Sequence, residues 1–403
     1  MPNVNPDILR WARETAGLTL EEAAGKLSIR AARGKSPVER LADLEAGTVA
    51  PTRPMLVRMA KQYRRPLLTF YLAERPRRGN RGQDFRTLPL DHSAIDEGLL
   101  DALIRDVQAR QGLIRAVLED EDEVEPVAFV GSCSMNDGVG VIVETLREVL
   151  PVNLDEFRSR ASTADAFALL RSRVEAVGVY VLLMGDLGSY HTAIDLETFR
   201  GFSLADDIAP FIVINDRDSK AAWSFTLLHE LTHLLLGQTG VSGQDAALAI
   251  EQFCNDVASE YLLPHRELRS LQPLPTGDSE ALETALSEFA RERNISSSMV
   301  AYRLYRAGTL NRRQWHHLSR AFRDRWMQSQ ADRRERARAQ EGGPSYYVVK
   351  RHRLGTALIE SVRRMLRGGE LTTSKAGRVL GVKPQQVQTL VETSYPDQPR
   401  PSA

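Results

Sequence analysis

Apolar residues recur at helical spacing through the first part of the chain. In "PDILRWARETAG" Leu9, Ala12 and Ala16 share one face, and Gly17 marks the stop of that helix. "TLEEAAGKL" follows, and Thr19 with Glu22 three residues on has the form of a capping box. "VERLADLEAG", "PTRPMLVRMAKQY" and "RRPLLTFYLAE" continue the pattern, so residues 1–75 predict a compact bundle of about five helices. The connection "SIRAARGKSP" between the second and third of these is long, and Pro37 restarts the chain after it.

The pattern then changes along the chain. "RPRRGNRGQDFRT", residues 75–87, is rich in Gly and Arg and predicts extended backbone. Helical periodicity returns from Ser93 to Leu118 and is broken by "EDEDEVEP"; "MNDGVGVIVETLREVL" and "TADAFALLRSRVEAVG" predict further helices. Three short apolar runs, 179–184, 199–204 and 210–215, read as strands between polar turns. Long helices are predicted over 219–237 and 246–263, the second stopped near Pro264. Two helix-turn-helix patterns come later, at 285–308 and at 371–392, separated by the charged stretch "RRERARAQEGGPS", read as a linker. The fold class is therefore α+β and mostly helical, in segments 1–75, 76–160 (linker and helices), 161–310, 311–345 (charged helix and linker) and 346–395.

Length and composition narrow the class. A chain of 403 residues is too long for one ordinary core. No apolar stretch nears the roughly 20 residues of a membrane span, and the start lacks a basic-then-apolar signal pattern, so a cytoplasmic protein without membrane contact is expected. Cys133 and Cys254 form no framework, as suits a reducing compartment. The net charge of zero hides a segregation. Residues 1–90 hold 17 Lys/Arg against 9 Asp/Glu, 346–403 hold 10 against 4, and the middle holds 26 against 40. Basic ends around an acidic centre fit a chain whose ends meet DNA, although solvated faces explain the same numbers.

The chemistry concentrates in "FTLLHELTHLLLG", residues 225–237. His229 and His233 stand four apart, so both imidazoles leave one face of a helix, as two ligands of a tetrahedral zinc would. Glu230, rotated by about 100°, is placed to act as general base rather than ligand. A third ligand is needed, and "IEQFCNDVASEYLLP" offers Glu251, Cys254, Asp256 and Glu260. Glu251 and Glu260 lie about 180° apart on a helix, so only one can face the histidines. The stripe of Glu251 also carries the small Ala258, which allows close approach, and Asn255, which could orient the carboxylate; helical phase favours Glu251. Cys254 is read as a small core residue.

"LLHELTHLLLG" followed by "IEQFCNDVASEYLLP" resembles the ImmA/IrrE family of zinc metallopeptidases. The resemblance implies Zn2+ held by His229, His233 and Glu251 in a gluzincin-like set, Glu230 as catalytic base, and Cys254, Asn255 and Pro264 as the signature around the third ligand. It covers about 165–310 and implies a zincin-like core into which the unit at 285–308 packs. The first 75 residues resemble a Cro/repressor-type helix-turn-helix domain, with "PLLTFYLAE" and "DFRT" similar to members that carry such a domain in front. Tyr190, His191, His265, Tyr302 and Arg303 are candidates for stabilising an oxyanion, and the sequence does not choose among them.

Two functions are compatible with these residues. One is a zinc endopeptidase that cleaves a regulatory protein, for which the resemblance implies a helix-turn-helix repressor or antitoxin, in stress response, mobile-element control or phage defence. The other is a DNA-binding transcriptional regulator whose peptidase fold serves interaction. The intact set of His229, Glu230, His233 and Glu251 favours the first; a homodimer is compatible with either, and the residues that would touch DNA are unassigned.

Overall fold

Helix starts are written in the sequence as side chains that take up backbone N–H groups. In a computed structural model describing residues 4–76, 94–120, 124–237, 244–275, 277–339 and 345–392, Asn5, Thr19, Ser36 and Thr52 accept such bonds at the first turns of α1 (Pro6–Glu14), α2 (Leu20–Lys26), α3 (Pro37–Glu45) and α4 (Arg53–Gln62). Thr19 with Glu22 closes the expected capping box, and Ser36 with Glu39 closes a second. The fifth predicted helix is only a 3-10 turn, Leu67–Tyr71, because Pro66 pushes Arg65 away from helical backbone and cuts it off from α4.

The chain forms two units. The first consists of the described residues of 1–76, 94–106 and 186–199; the second of the described residues of 107–185 and 200–403. This division is coarser than the segments read from the sequence, and it assigns 186–199 to the unit that holds α1–α4. The stretch 75–87 lies, from residue 77 on, outside the described residues.

In the first unit Ile8, Leu9, Ala12, Ala23, Ala24, Leu41, Leu56, Met59, Tyr63 and Phe70 make one core. Alanines on α1 and α2 leave room for close packing. Arg13, 8 % exposed, forks onto Glu45 with Nε–Oε1 at 2.8 Å and Nη2–Oε2 at 3.0 Å, and its Nη1 donates to the Leu18 carbonyl at 2.8 Å. Every branch of a buried guanidinium is thereby used, and α1 is locked to α3. The predicted long connection between α2 and α3 is present, folded on itself by a bridge between Ala32 and Lys35.

The second unit is built on a small, fully covered sheet. β1 (Tyr180–Leu183), β2 (Gly201–Leu204) and β3 (Phe211–Ile214) lie inside the three apolar runs and are ordered β1-β3-β2. β1 runs parallel to β3 with Tyr180 opposite Phe211, and β2 runs antiparallel with Gly201 opposite Ile214. Every strand residue is buried, as expected of runs that are apolar rather than alternating. On the sheet pack α8 (Thr163–Ala176) and α9 (Lys220–Leu235), while α10 (Gln244–Leu262) packs on α9, α6 (Gly138–Val149) on α10 and α7 (Leu154–Arg158) on α8. α5 (Ala94–Glu119), from residue 107 in this unit, reaches the Leu204 carbonyl through Gln111 at 3.1 Å. From Trp223 to Leu235 every residue of α9 except the half-buried Phe225 is buried. No helix among the described residues is long and apolar enough to cross a membrane.

α11 (Ser279–Glu292) and α12 (Ser297–Arg306), the first later pair, are part of this core through Leu286, Phe289, Ala290, Met299, Val300 and Leu304. Their turn is held by Asn294, whose backbone is left-handed at φ 54° and whose amide donates to the carbonyls of Phe157 at 3.3 Å, Arg158 at 3.1 Å and Arg160 at 2.9 Å. Those carbonyls lie at and just beyond the end of α7, where intrahelical partners run out, although that of Phe157 also accepts from the Arg160 N–H at 3.4 Å. α13 (Arg312–Ala339) then runs on through "RRERARA", half of the expected linker, because Arg, Glu and Ala are strong helix formers.

Four further helices follow, α14 (Tyr346–Leu354), α15 (Thr356–Gly368), α16 (Thr373–Leu380) and α17 (Pro384–Glu392). Their junction with α8 and β1 is a buried ion pair between Arg171 and Glu175 at 2.9 Å. Arg171 also donates to the carbonyls of His352 at 2.6 Å and Val181. Glu175 accepts from the N–H groups of Thr356 at 3.1 Å and Ala357 at 3.2 Å, capping α15. Burial pushes the Glu175 carboxyl above its usual range, while Arg171 pulls it down.

Asn294→Gly keeps the left-handed backbone and deletes the amide, so it is expected to cost about 2 kcal/mol. Asn294→Ala adds about 1–2 kcal/mol of backbone strain. Native-state hydrogen exchange at the amides of α7 and α11 measures both; exchange unchanged in the glycine variant would show that the amide holds nothing.

Candidate metal centre

An apolar helix covered on all sides is an unusual place for two imidazoles and a carboxylate. α9 places His229, 0 % exposed, and His233, 5 % exposed, one turn apart, with their Nε2 atoms 3.2 Å from each other. α10 brings Glu251, 8 % exposed, so that its Oε2 lies 3.3 Å from His229 Nε2 and its Oε1 3.4 Å from His233 Nε2. Among the described residues these three form the one group of His, Cys, Asp and Glu side chains able to share a metal ion.

The donor set fits zinc on three counts. Zinc bonds of about 2.0–2.2 Å at tetrahedral angles hold their donors about 3.3–3.5 Å apart, close to the spacing seen here. Neither oxygen of Glu251 has a hydrogen bond among the described residues, although both are buried. A carboxylate in that state needs a positive charge beside it, and a cation between the three side chains provides one. Two nitrogens and one oxygen are also donors that zinc accepts readily, and three protein donors would leave room for water on a four-coordinate ion.

Glu230, 1 % exposed, leaves α9 in another direction. A Cβ atom placed on Gly201 would stand 2.6 Å from Glu230 Oε1 and 2.6 Å from Thr226 Cγ2. The first residue of β2 must therefore lack a side chain for the strand and the Glu230 carboxylate to meet. Gly201 was not among the residues singled out from the sequence. The signal was present: a glycine inside the apolar run "FRGFSL" marks a place where something approaches the backbone closely.

The remaining residues read from the sequence divide clearly. Cys254 is buried in α10 and lies outside the three-residue group. Asn255 is half-buried one turn after Glu251, and no hydrogen bond joins the two, so the expected support of the carboxylate by this amide is absent. Glu260 is engaged by Arg303 and accepts from the His265 N–H at 3.1 Å. Tyr302 donates to Asp256 Oδ1 at 2.7 Å, and Arg306 reaches Asp256 Oδ2 at 2.6 Å. Burial and the bond to Asp256 push the Tyr302 phenol well above its usual range. Asp256 and Glu260 follow Glu251 by five and nine residues, about 140° and 180° round the helix.

Tyr302 and Arg303, read as possible oxyanion partners, are thus committed to the side of α10 away from Glu251, because they pin α12 to that helix. His265 is exposed at the first residue of the 3-10 turn His265–Leu271. Tyr190 and His191 are exposed in the 3-10 turn Tyr190–Thr192 of the first unit, ring against ring at 6.0 Å.

Comparison with known proteins adds one match. Neither a curated protein nor a solved structure matches the chain. Residues 175–305 match the model of the peptidase family M78, described as the IrrE N-terminal-like domain. The matched stretch opens at the end of α8 and closes in α12, and it holds the sheet, α9 and α10. It is this part of the chain, with its three metal donors and Glu230, that is similar to a metallopeptidase of the IrrE kind.

Proposed function

We propose that the protein is a zinc-dependent endopeptidase that cleaves a regulatory protein, a helix-turn-helix repressor or an antitoxin. The single observation that carries the proposal is the group of His229, His233 and Glu251 at tetrahedral spacing, with Glu230 next in the chain. The substrate class rests on the likeness of 175–305 to the IrrE domain together with the family resemblance of the histidine and Glu251 helices. The same resemblance suggests stress response, mobile-element control or phage defence as the setting.

The residues divide the work as follows. His229 and His233 would hold the metal through Nε2, and Glu251 through its carboxylate. When bound, zinc supplies Lewis-acid chemistry, drawing charge from the scissile carbonyl and from water. Glu230 takes the proton of the attacking water and later passes it to the leaving amine. Burial of His229, Glu230 and His233 keeps competing water away, so that charges there interact strongly. Gly201 positions Glu230 by letting β2 lie against it without displacing the carboxylate.

The purified protein is expected to carry about one zinc per chain. His229→Ala should abolish the metal, and removal by a chelator should lower the melting temperature, since a ligand bound to the native state alone stabilises it. A metal-free wild type with the same melting temperature before and after added zinc would refute the assignment of the centre.

Glu230→Gln should retain zinc yet cleave a co-expressed neighbouring repressor on the order of a hundred to ten thousand times more slowly. Unchanged cleavage on an immunoblot removes Glu230 as base. Gly201→Ala should likewise retain zinc and lower kcat about a hundredfold by shifting Glu230. Full kcat in this variant would show that the carboxylate tolerates a side chain on β2.

A further inference from the structure

The pair α16–α17 differs from α11–α12 in what its outer side is free to do. In α12 the polar residues Tyr302, Arg303 and Arg306 are spent on Asp256 and Glu260 of α10. In α16–α17 the cations of the outer side are not spent in this way, although on α17 the Gln388 amide donates to Glu392. No Asp or Glu occurs between Leu371 and Val391, and Lys375, Arg378 and Lys383 are exposed without an ion-pair partner among the described residues. Elsewhere in this unit arginines such as Arg115, Arg158, Arg171, Arg306 and Arg353 are paired with carboxylates.

The pair also has a defined shape. Gly381 ends α16 in the left-handed conformation at φ 61°, and Pro384 already opens α17, so only Gly381, Val382 and Lys383 separate the helices. A Cβ on Gly377 would lie 2.9 Å from the Val382 carbonyl, which shows how tightly the turn folds back. Ala376, Val379 and Leu380 of α16 and Val387, Leu390 and Val391 of α17 are buried. α17 is held from within at its far end: Arg351 donates to the carbonyls of Leu390 at 2.9 Å and Thr389 at 3.0 Å, and Arg363 to that of Val391 at 2.7 Å. Two cations at the C-terminal end of a helix also complement its dipole.

What α17 presents outward is Gln385, Gln388 and Thr389, exposed and at i, i+3 and i+4, hence one stripe, which ends at the exposed Glu392, the acceptor of the Gln388 amide. A solvated face is usually charged. Two amides and a hydroxyl, flanked by three unpaired cations, are instead the side chains that read base edges in a major groove while their neighbours meet phosphates. We propose that the outer face of α16–α17 binds duplex DNA, with α17 in the major groove and Lys375, Arg378 and Lys383 on the backbone, in the manner of a two-helix reading unit. This surface does not depend on the metal centre.

The test uses the full-length protein and a labelled random-sequence duplex of about 30 base pairs, roughly three helical turns, in anisotropy titrations over a range of salt concentrations. The wild type and Glu230→Gln are expected to bind alike. Arg378→Ser with Lys383→Ser, at exposed positions and with the melting temperature checked, should weaken binding tenfold or more and lower the slope of log Kd on log salt by about 2. Gln385→Ala with Gln388→Ala should keep that slope while losing the sequence that the wild type enriches from a random duplex pool. The proposal is overturned if the wild type does not bind duplex at low salt, or if the double serine variant keeps its affinity and slope. It also falls if the protein prefers single-stranded RNA to duplex.

Discussion

The structure of the second unit follows from one demand: a helix that is apolar around its whole circumference must be covered around its whole circumference. α9 meets it by lying among α8, α10 and the sheet, with Leu227, Leu228, Leu231, Leu234 and Leu235 all buried. Only then does the low-dielectric setting exist in which His229, Glu230 and His233 can be held without competing water. The sheet is correspondingly short, since its task is to close one side of the helix. The rest of the unit secures that closure, from Asn294 against the end of α7 to Arg303 and Arg306 of α12 against α10.

Buried ion pairs recur wherever two elements distant in sequence must keep a fixed relation. Arg13 and Glu45 join α1 and α3, and Arg171 and Glu175 fasten α8 to the start of α15. Such pairs add little net stability against an apolar alternative, but breaking one side leaves an uncompensated charge, so they specify which surfaces meet. Every nitrogen of both guanidinium groups donates, a set that the bonds of Arg13 to Leu18 and of Arg171 to His352 complete.

The grouping of His229, His233 and Glu251 was legible in the sequence because it obeys helical geometry alone. His229 and His233 needed only the four-residue spacing, and Glu251 was separated from Glu260 by phase, without knowledge of the packing. The strands were legible as apolar runs, and the capping box of Thr19 and Glu22 as a local pattern. Features that depend on contacts distant along the chain were not. Gly201 has meaning only once β2 lies on Glu230, and Asn294 only once α7 ends against it. Tyr302 and Arg303 could not be told apart from the other oxyanion candidates for the same reason: the carboxylates that engage them, Asp256 and Glu260, stand on another helix. The Asn255 amide failed more locally, since one helical turn brings two residues onto one stripe without bringing their side chains into contact.

The likeness to the IrrE domain ends at residue 305, yet the fold does not treat that position as a border. The Arg171 and Glu175 knot lies on α8 before and within the matched stretch, while its partners are the carbonyl of His352 and the N–H groups of Thr356 and Ala357. A chain recombined after residue 305 would therefore carry away the acceptors and donors of a charge pair that stays behind. The C-terminal helices are thus tied to the matched stretch by the hydrogen bonds of one charge pair, and removing them would leave Arg171 and Glu175 buried without those partners.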